Sequence, residues 1–153
     1  MGRQGNMLQD IRAAGFRVFL VPLAAAVGTL ALTALVGLFL PMGAKDCAAA
    51  AAGFGWYSLA PTLLAPYSLS VSATAFLSNI MHELFSIVAV PAVAQRIGYI
   101  EAVALPGATA MDTVLPVVVS ATSDRMALYS FTSGAVLSLS VPFLVPAIIA
   151  LPF

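Results

Sequence analysis

Charge is what this sequence has least of. Only 8% of its 153 residues are charged, 61% are hydrophobic, and six basic side chains balance six acidic ones. Mean hydropathy is +1.05. A soluble domain has roughly a quarter of its residues charged, so the chain reads as an all-α integral membrane protein with the lipid bilayer as its first partner. A zero net charge, with no basic patch interleaved with aromatics, excludes a nucleic-acid partner. Cys47 is the only cysteine, so no internal disulfide forms. His82 is the only histidine, and Ser86 occupies the i+4 position where a zinc-protease helix needs a second one. No metal site and no cofactor are expected. No serine has the context of a nucleophile elbow, and Asp112 is the only aspartate expected to be buried, with Glu83 on a different element, so no pair of aspartates is expected to share a proton. An enzyme is therefore not expected.

What is present is a series of apolar runs. At ~20 residues per span, about five transmembrane segments use most of the chain. Residues 1–15 contain Arg3 and Arg12, with Arg17 just beyond, and Met7, Leu8, Ile11 and Ala14 recur at helical spacing. They read as an amphipathic leader on the cytoplasmic face, ahead of a single transmembrane domain over 16–153. The uncharged run from Val18 to Ala44 is too long for a cleaved signal peptide.

The spans are placed at Phe16 to Leu40, Val71 to Ala94 and Met126 to Leu151. Thr29, Thr33 and Gly37 on the first, and Ser130, Gly134 and Ser138 on the last, lie four apart and form small-residue stripes suited to close packing. Between the spans lie two runs that a plain helix would not tolerate. Residues 47–67 contain Gly53, Gly55, Pro61, Pro66, Trp56 and Tyr57; the two aromatics suit either the break or an interfacial belt. Residues 102–124 contain Pro106, Gly107, Thr109 and Asp112 at their centre. Each is expected to be broken or re-entrant, since irregular backbone at membrane depth needs cover from protein or water. In the second, two half-helices are expected around an extended PGAT linker, with Thr109 or Asp112 capping the latter half. If both runs are hairpins, Arg96 and Arg125 fall inside and only Lys45 outside; the charge rule prefers this over five full crossings. No internal repeat is visible.

The central span carries Ser78, Asn79, His82 and Glu83 mid-run. At 100° per residue, Ser72, Asn79, Glu83 and Ser86 share one side, with Ser78 and His82 at its edge. Glu83 and Asp112 are carboxylates at membrane depth, which is costly unless they face a polar cavity, a proton or a partner. Both therefore read as groups for a cation or proton. His82 reads as a neighbour that tunes Glu83, or as a proton shuttle. Gly107, Thr109 and Asp112 mark a broken helix of the kind transporters place at the midplane. A zwitterionic amino acid with a cationic side chain suits two acids beside such a break.

AAGFGWYSL (51–59), FLSNIMHEL (76–84), PGATAMDTVLPVV (106–118) and LSLSVPFLVP (137–146) resemble, in order, the C-terminal half of the LysO lysine exporter family. The resemblance covers the chain from about Leu20 onward. It implies export of lysine and its toxic analogue thialysine across the inner membrane; a proton replacing the cation on the same two carboxylates would give exchange. It carries the essential membrane acid of this half over to Glu83, and the family's Gly-Ala-Thr-Ser-Met-Asp block over to Asp112. Ala110 stands where the family usually has Ser, and His82 where it commonly has Arg. The typical member is about twice as long, so the chain is expected to act as one subunit of a split transporter. Its partner would be a second membrane protein equivalent to the N-terminal half, or a second copy. The rivals are a transporter or channel subunit for another small solute, and a non-transporting scaffold whose acids only stitch helices.

Overall fold

The computed structural model describes Gly15 and residues 17–152. The rest of the amphipathic leader expected over 1–15 lies outside them. The described residues are helical with irregular breaks. Three helices are long and apolar enough to cross a membrane: α1 (Arg17–Gly37), α4 (Leu69–Arg96) and α7 (Met126–Ile149). Between α1 and α4 lie α2 (Gly43–Ala51) and α3 (Leu59–Leu64). Between α4 and α7 lie α5 (Tyr99–Ala104), a 3₁₀ turn (Gly107–Met111) and α6 (Leu115–Ala121).

The ends of α4 follow from local chemistry. Ser68, extended at φ −161°, accepts the Val71 amide on its hydroxyl at 3.4 Å. The far end carries Arg96, a cation at the negative pole of the helix. The helix runs on through Pro91.

The two broken segments are hairpins. At 1.5 Å per residue, α2 rises about 14 Å and α3, α5 and α6 about 9–11 Å each, against a hydrocarbon core of about 30 Å. No arm can cross. Tyr67, at the exit of the first hairpin, donates to Asp46 at its entrance, with Oη to Oδ1 at 2.8 Å. The Lys45 ammonium lies 5.7 Å from the Tyr67 ring centroid. The same ammonium donates to the Leu151 carbonyl at 2.7 Å, which ties this mouth to the end of α7.

The second hairpin opens at the opposite end. Its arms supply Ala102, Val103 and Val118 to a cluster with Val90 and Ala94 from the end of α4 and Met126 and Tyr129 from the start of α7. The other cluster joins Val71 and Ala75 from the start of α4 to Val141 and Val145 late in α7, around Ala49, Ala60 and Leu64 of the first hairpin. A hairpin followed by a span thus occurs twice, entering from opposite ends. Arg96 and Arg125 lie at one end and Lys45 at the other.

Four sequence expectations change in detail. The first broken segment begins at Gly43 rather than 47, and the second at Tyr99 rather than 102. The PGAT stretch is a 3₁₀ turn, not an extended linker. The cap of α6 is Val114, with no side-chain bond from Thr109 or Asp112. The small-residue stripe of α7 packs on the 3₁₀ turn, where Ser130 donates to the Ala110 carbonyl at 2.6 Å. A Cβ on Gly134 would collide with the Met111 amide.

Candidate functional site

The tips of the two hairpins meet. The Ala108 amide donates to the Phe54 carbonyl at 2.8 Å. Both tips use left-handed backbone, Phe54 at φ 49° and Gly107 at φ 64°. A Cβ on Gly107 would collide with the Phe54 carbonyl oxygen, so only glycine lets the chains approach this closely. Trp56 and Tyr57 belong to this junction rather than to an interfacial belt. The Tyr57 ring stands edge-on to Phe76 of α4, with centroids 6.5 Å apart.

The polar stripe of α4 holds the broken backbone in place. Ser72, Asn79 and Ser86 are seven residues apart, so they recur on one line of the helix. Ser72 donates to the Pro61 carbonyl at 2.8 Å. Asn79 accepts the Gly55 amide at 2.7 Å and donates to the Ala50 and Ala75 carbonyls at 3.0 and 2.7 Å. Ser86 reaches the Leu105 carbonyl at 3.4 Å and the His82 carbonyl at 2.8 Å. Backbone groups freed by a helix break are costly at membrane depth unless paired, and these side chains pair several of them.

Two cavities flank the junction. The first, of about 220 Å³, is lined by Tyr57, Ser58, Thr109, Asp112, Thr113 and Ser138, among others. Asp112 is exposed there, and its Oδ1 accepts the Thr113 amide at 2.6 Å and the Thr113 hydroxyl at 3.3 Å. Thr109 is buried and donates to the Pro106 carbonyl at 2.8 Å. The second cavity, of about 200 Å³, lies on the α1 side, lined by Thr29, Thr33, Ser78, Asn79, His82 and Gly107, among others.

The predicted residues therefore divide. Asp112 and Thr109 line the first cavity; Asn79, His82, Ser78 and Gly107 line the second. Glu83 is half-buried and lines neither. It lies seven residues, about 10 Å, along α4 from Phe76 and on the same flank, the flank on which Tyr57 packs. Ser58, Met111 and Ser138 of the first cavity, and Thr29 and Thr33 of the second, were not singled out from sequence as site residues. The small-residue stripes were the signal that pointed at three of them.

A family model described as the lysine exporter LysO matches residues 1–149. The chain belongs to the LysO lysine exporter family. The lysine exporter LysO of Escherichia coli (strain K12) is 37% identical over 98 residues, 63% of this chain and 32% of that protein. A putative lysine exporter of Haemophilus influenzae is 29% identical over 119 residues, 74% of this chain and 60% of that protein. The chain spans about a third of the first relative and three fifths of the second. No solved structure matches it. With three apolar helices of crossing length, this LysO family member is a multi-pass membrane protein.

Proposed function

We propose that the chain is a membrane subunit of an amino-acid exporter. It moves lysine and lysine analogues such as thialysine outward across the inner membrane, in exchange for protons. The observation that carries this reading is the junction of two hairpin tips beside a cavity that presents Asp112, in a chain of the LysO family. Such broken helices place polar backbone where a zwitterion can be held. Asp112 and Glu83 take the cationic ammonium groups or the exchanged proton, Asn79 fixes the junction, and Thr109, Gly107 and Ser78 shape its two sides. The end bearing Arg96 and Arg125 faces the cytoplasm by the charge rule, and the N-terminus with it.

The reading includes assembly with a second membrane subunit, or with a second copy, that completes the site. The test is lysine export from cells that express this chain with whatever small membrane protein co-purifies with it. Glu83→Gln is expected to abolish export while the protein still inserts. Full thialysine resistance in that variant would remove Glu83 from the site.

A further inference from the structure

The Asp112 cavity, of about 220 Å³, has a closed floor and an open edge. Gly55, Ala108, Thr109 and Ser138 are buried, whereas Tyr57, Ser58, Asp112 and Thr113 are exposed. Asp112 is charged, and no basic side chain among the described residues lines this space. Its bonds to Thr113 both go to Oδ1, which leaves Oδ2 to a ligand.

The hydroxyls of the lining offer lone pairs more than hydrogens. Thr109 donates to the Pro106 carbonyl at 2.8 Å, and Thr113 to Asp112 at 3.3 Å. The Ser138 hydroxyl, 6% exposed, reaches Met111 Sδ at 3.8 Å, a weak acceptor. An ammonium has three donors and no acceptor, so it suits such a lining. A carboxylate would meet lone pairs and the Asp112 charge. Trp56 and Tyr57 complete the wall, and aromatic faces attract cations within about 6 Å. The Tyr57 ring is set by Phe76 of α4, with the two ring planes at 82°.

We infer that this cavity recognises its substrate by an alkylammonium end alone, with Asp112 as counter-ion and Trp56 and Tyr57 as the aromatic wall, and that it does not read the substrate's carboxylate. The carboxylate stays at the open edge, beyond the cavity. Selection of basic over neutral amino acids then lies in this chain, and Tyr57 is a specificity-determining residue for it. Lysine as the natural substrate rests on the exporter reading above; recognition of an alkylammonium does not.

Trp56 is the only tryptophan, so its fluorescence reports this cavity in the full chain reconstituted in lipid vesicles. Two probes divide lysine between them. Butylamine carries the side-chain cation without the amino-acid backbone, and norleucine carries the backbone without that cation. At neutral pH, lysine and butylamine are expected to shift the emission saturably, and norleucine to leave it unchanged. Asp112→Asn is expected to weaken butylamine binding about tenfold or more, and Tyr57→Leu about two- to fivefold. Tyr57→Phe keeps the ring and is expected to bind like the wild type. A saturable response to norleucine, or none to butylamine in folded wild-type protein, overturns the inference. Unchanged butylamine affinity in folded Asp112→Asn protein also overturns it. If butylamine binds as expected but the chain with its partner exports no lysine, the ammonium site stands and the exporter reading falls. If lysine is exported and butylamine does not bind, the reverse holds.

Discussion

Asn79 and Gly55 are joined by a 2.7 Å hydrogen bond from the Gly55 amide to the Asn79 Oδ1. This contact holds the first hairpin tip to α4, and the bonds to the Ala50 and Ala75 carbonyls commit both Asn79 amide hydrogens to backbone. Asn79→Ala leaves the Gly55 amide and the Ala50 carbonyl without their side-chain partner. An unsatisfied buried group costs about 1–3 kcal/mol, so thermal unfolding in detergent should show clear destabilisation, with export reduced in parallel.

Gly107→Ala adds a Cβ where the backbone is left-handed and the Phe54 carbonyl is in contact. The left-handed conformation alone costs about 1–2 kcal/mol for an L-residue, and the tips must also separate. Loss of export is expected together with a lowered thermal transition. Wild-type behaviour on both counts would show that the tips do not need this close approach.

Asp112→Asn should separate function from folding. The carboxylate bonds only to the neighbouring Thr113 among the described residues and is exposed in the first cavity. Thermal stability should change by less than about 0.5 kcal/mol, as for exposed substitutions away from special features, while lysine efflux falls. Equal losses of stability and efflux would make Asp112 a structural residue.

Sidedness is open to labelling, because Cys47 is the only cysteine to remove. In a Cys47→Ser background, Pro41→Cys and Ser70→Cys flank the first hairpin, and Gln95→Cys and Asp124→Cys flank the second. A membrane-impermeant thiol reagent should label both members of a pair from one side, and the two pairs from opposite sides. Opposite labelling of Pro41→Cys and Ser70→Cys would turn the first hairpin into a crossing.

Filling the first cavity tests its use without touching an acid. Ser138 lines it, and its hydroxyl lies 3.8 Å from Met111 Sδ. Ser138→Leu adds apolar volume there. Efflux is expected to fall through a raised apparent KM for lysine, with insertion unchanged.

The membrane class, the three long spans and the two places where helix fails were legible in the residues alone. Each is a local property: apolar run length, and Gly and Pro where backbone bonds cannot continue. The sequence also marked the polar stripe of α4, because a 3.6-residue period survives in one helix. Tertiary structure alone decided that 43–67 and 99–124 turn back, since Asp46 and Tyr67 are far apart in sequence and meet only when the hairpin closes. It alone decided that the stripe bonds to broken backbone, that the tips touch, and that Asp112 and His82 line different cavities. The doubled hairpin-and-span order was invisible for the same reason. Packing repeats a path of the chain, and a path can recur without its residues, because backbone hydrogen bonding and burial constrain shape more tightly than identity.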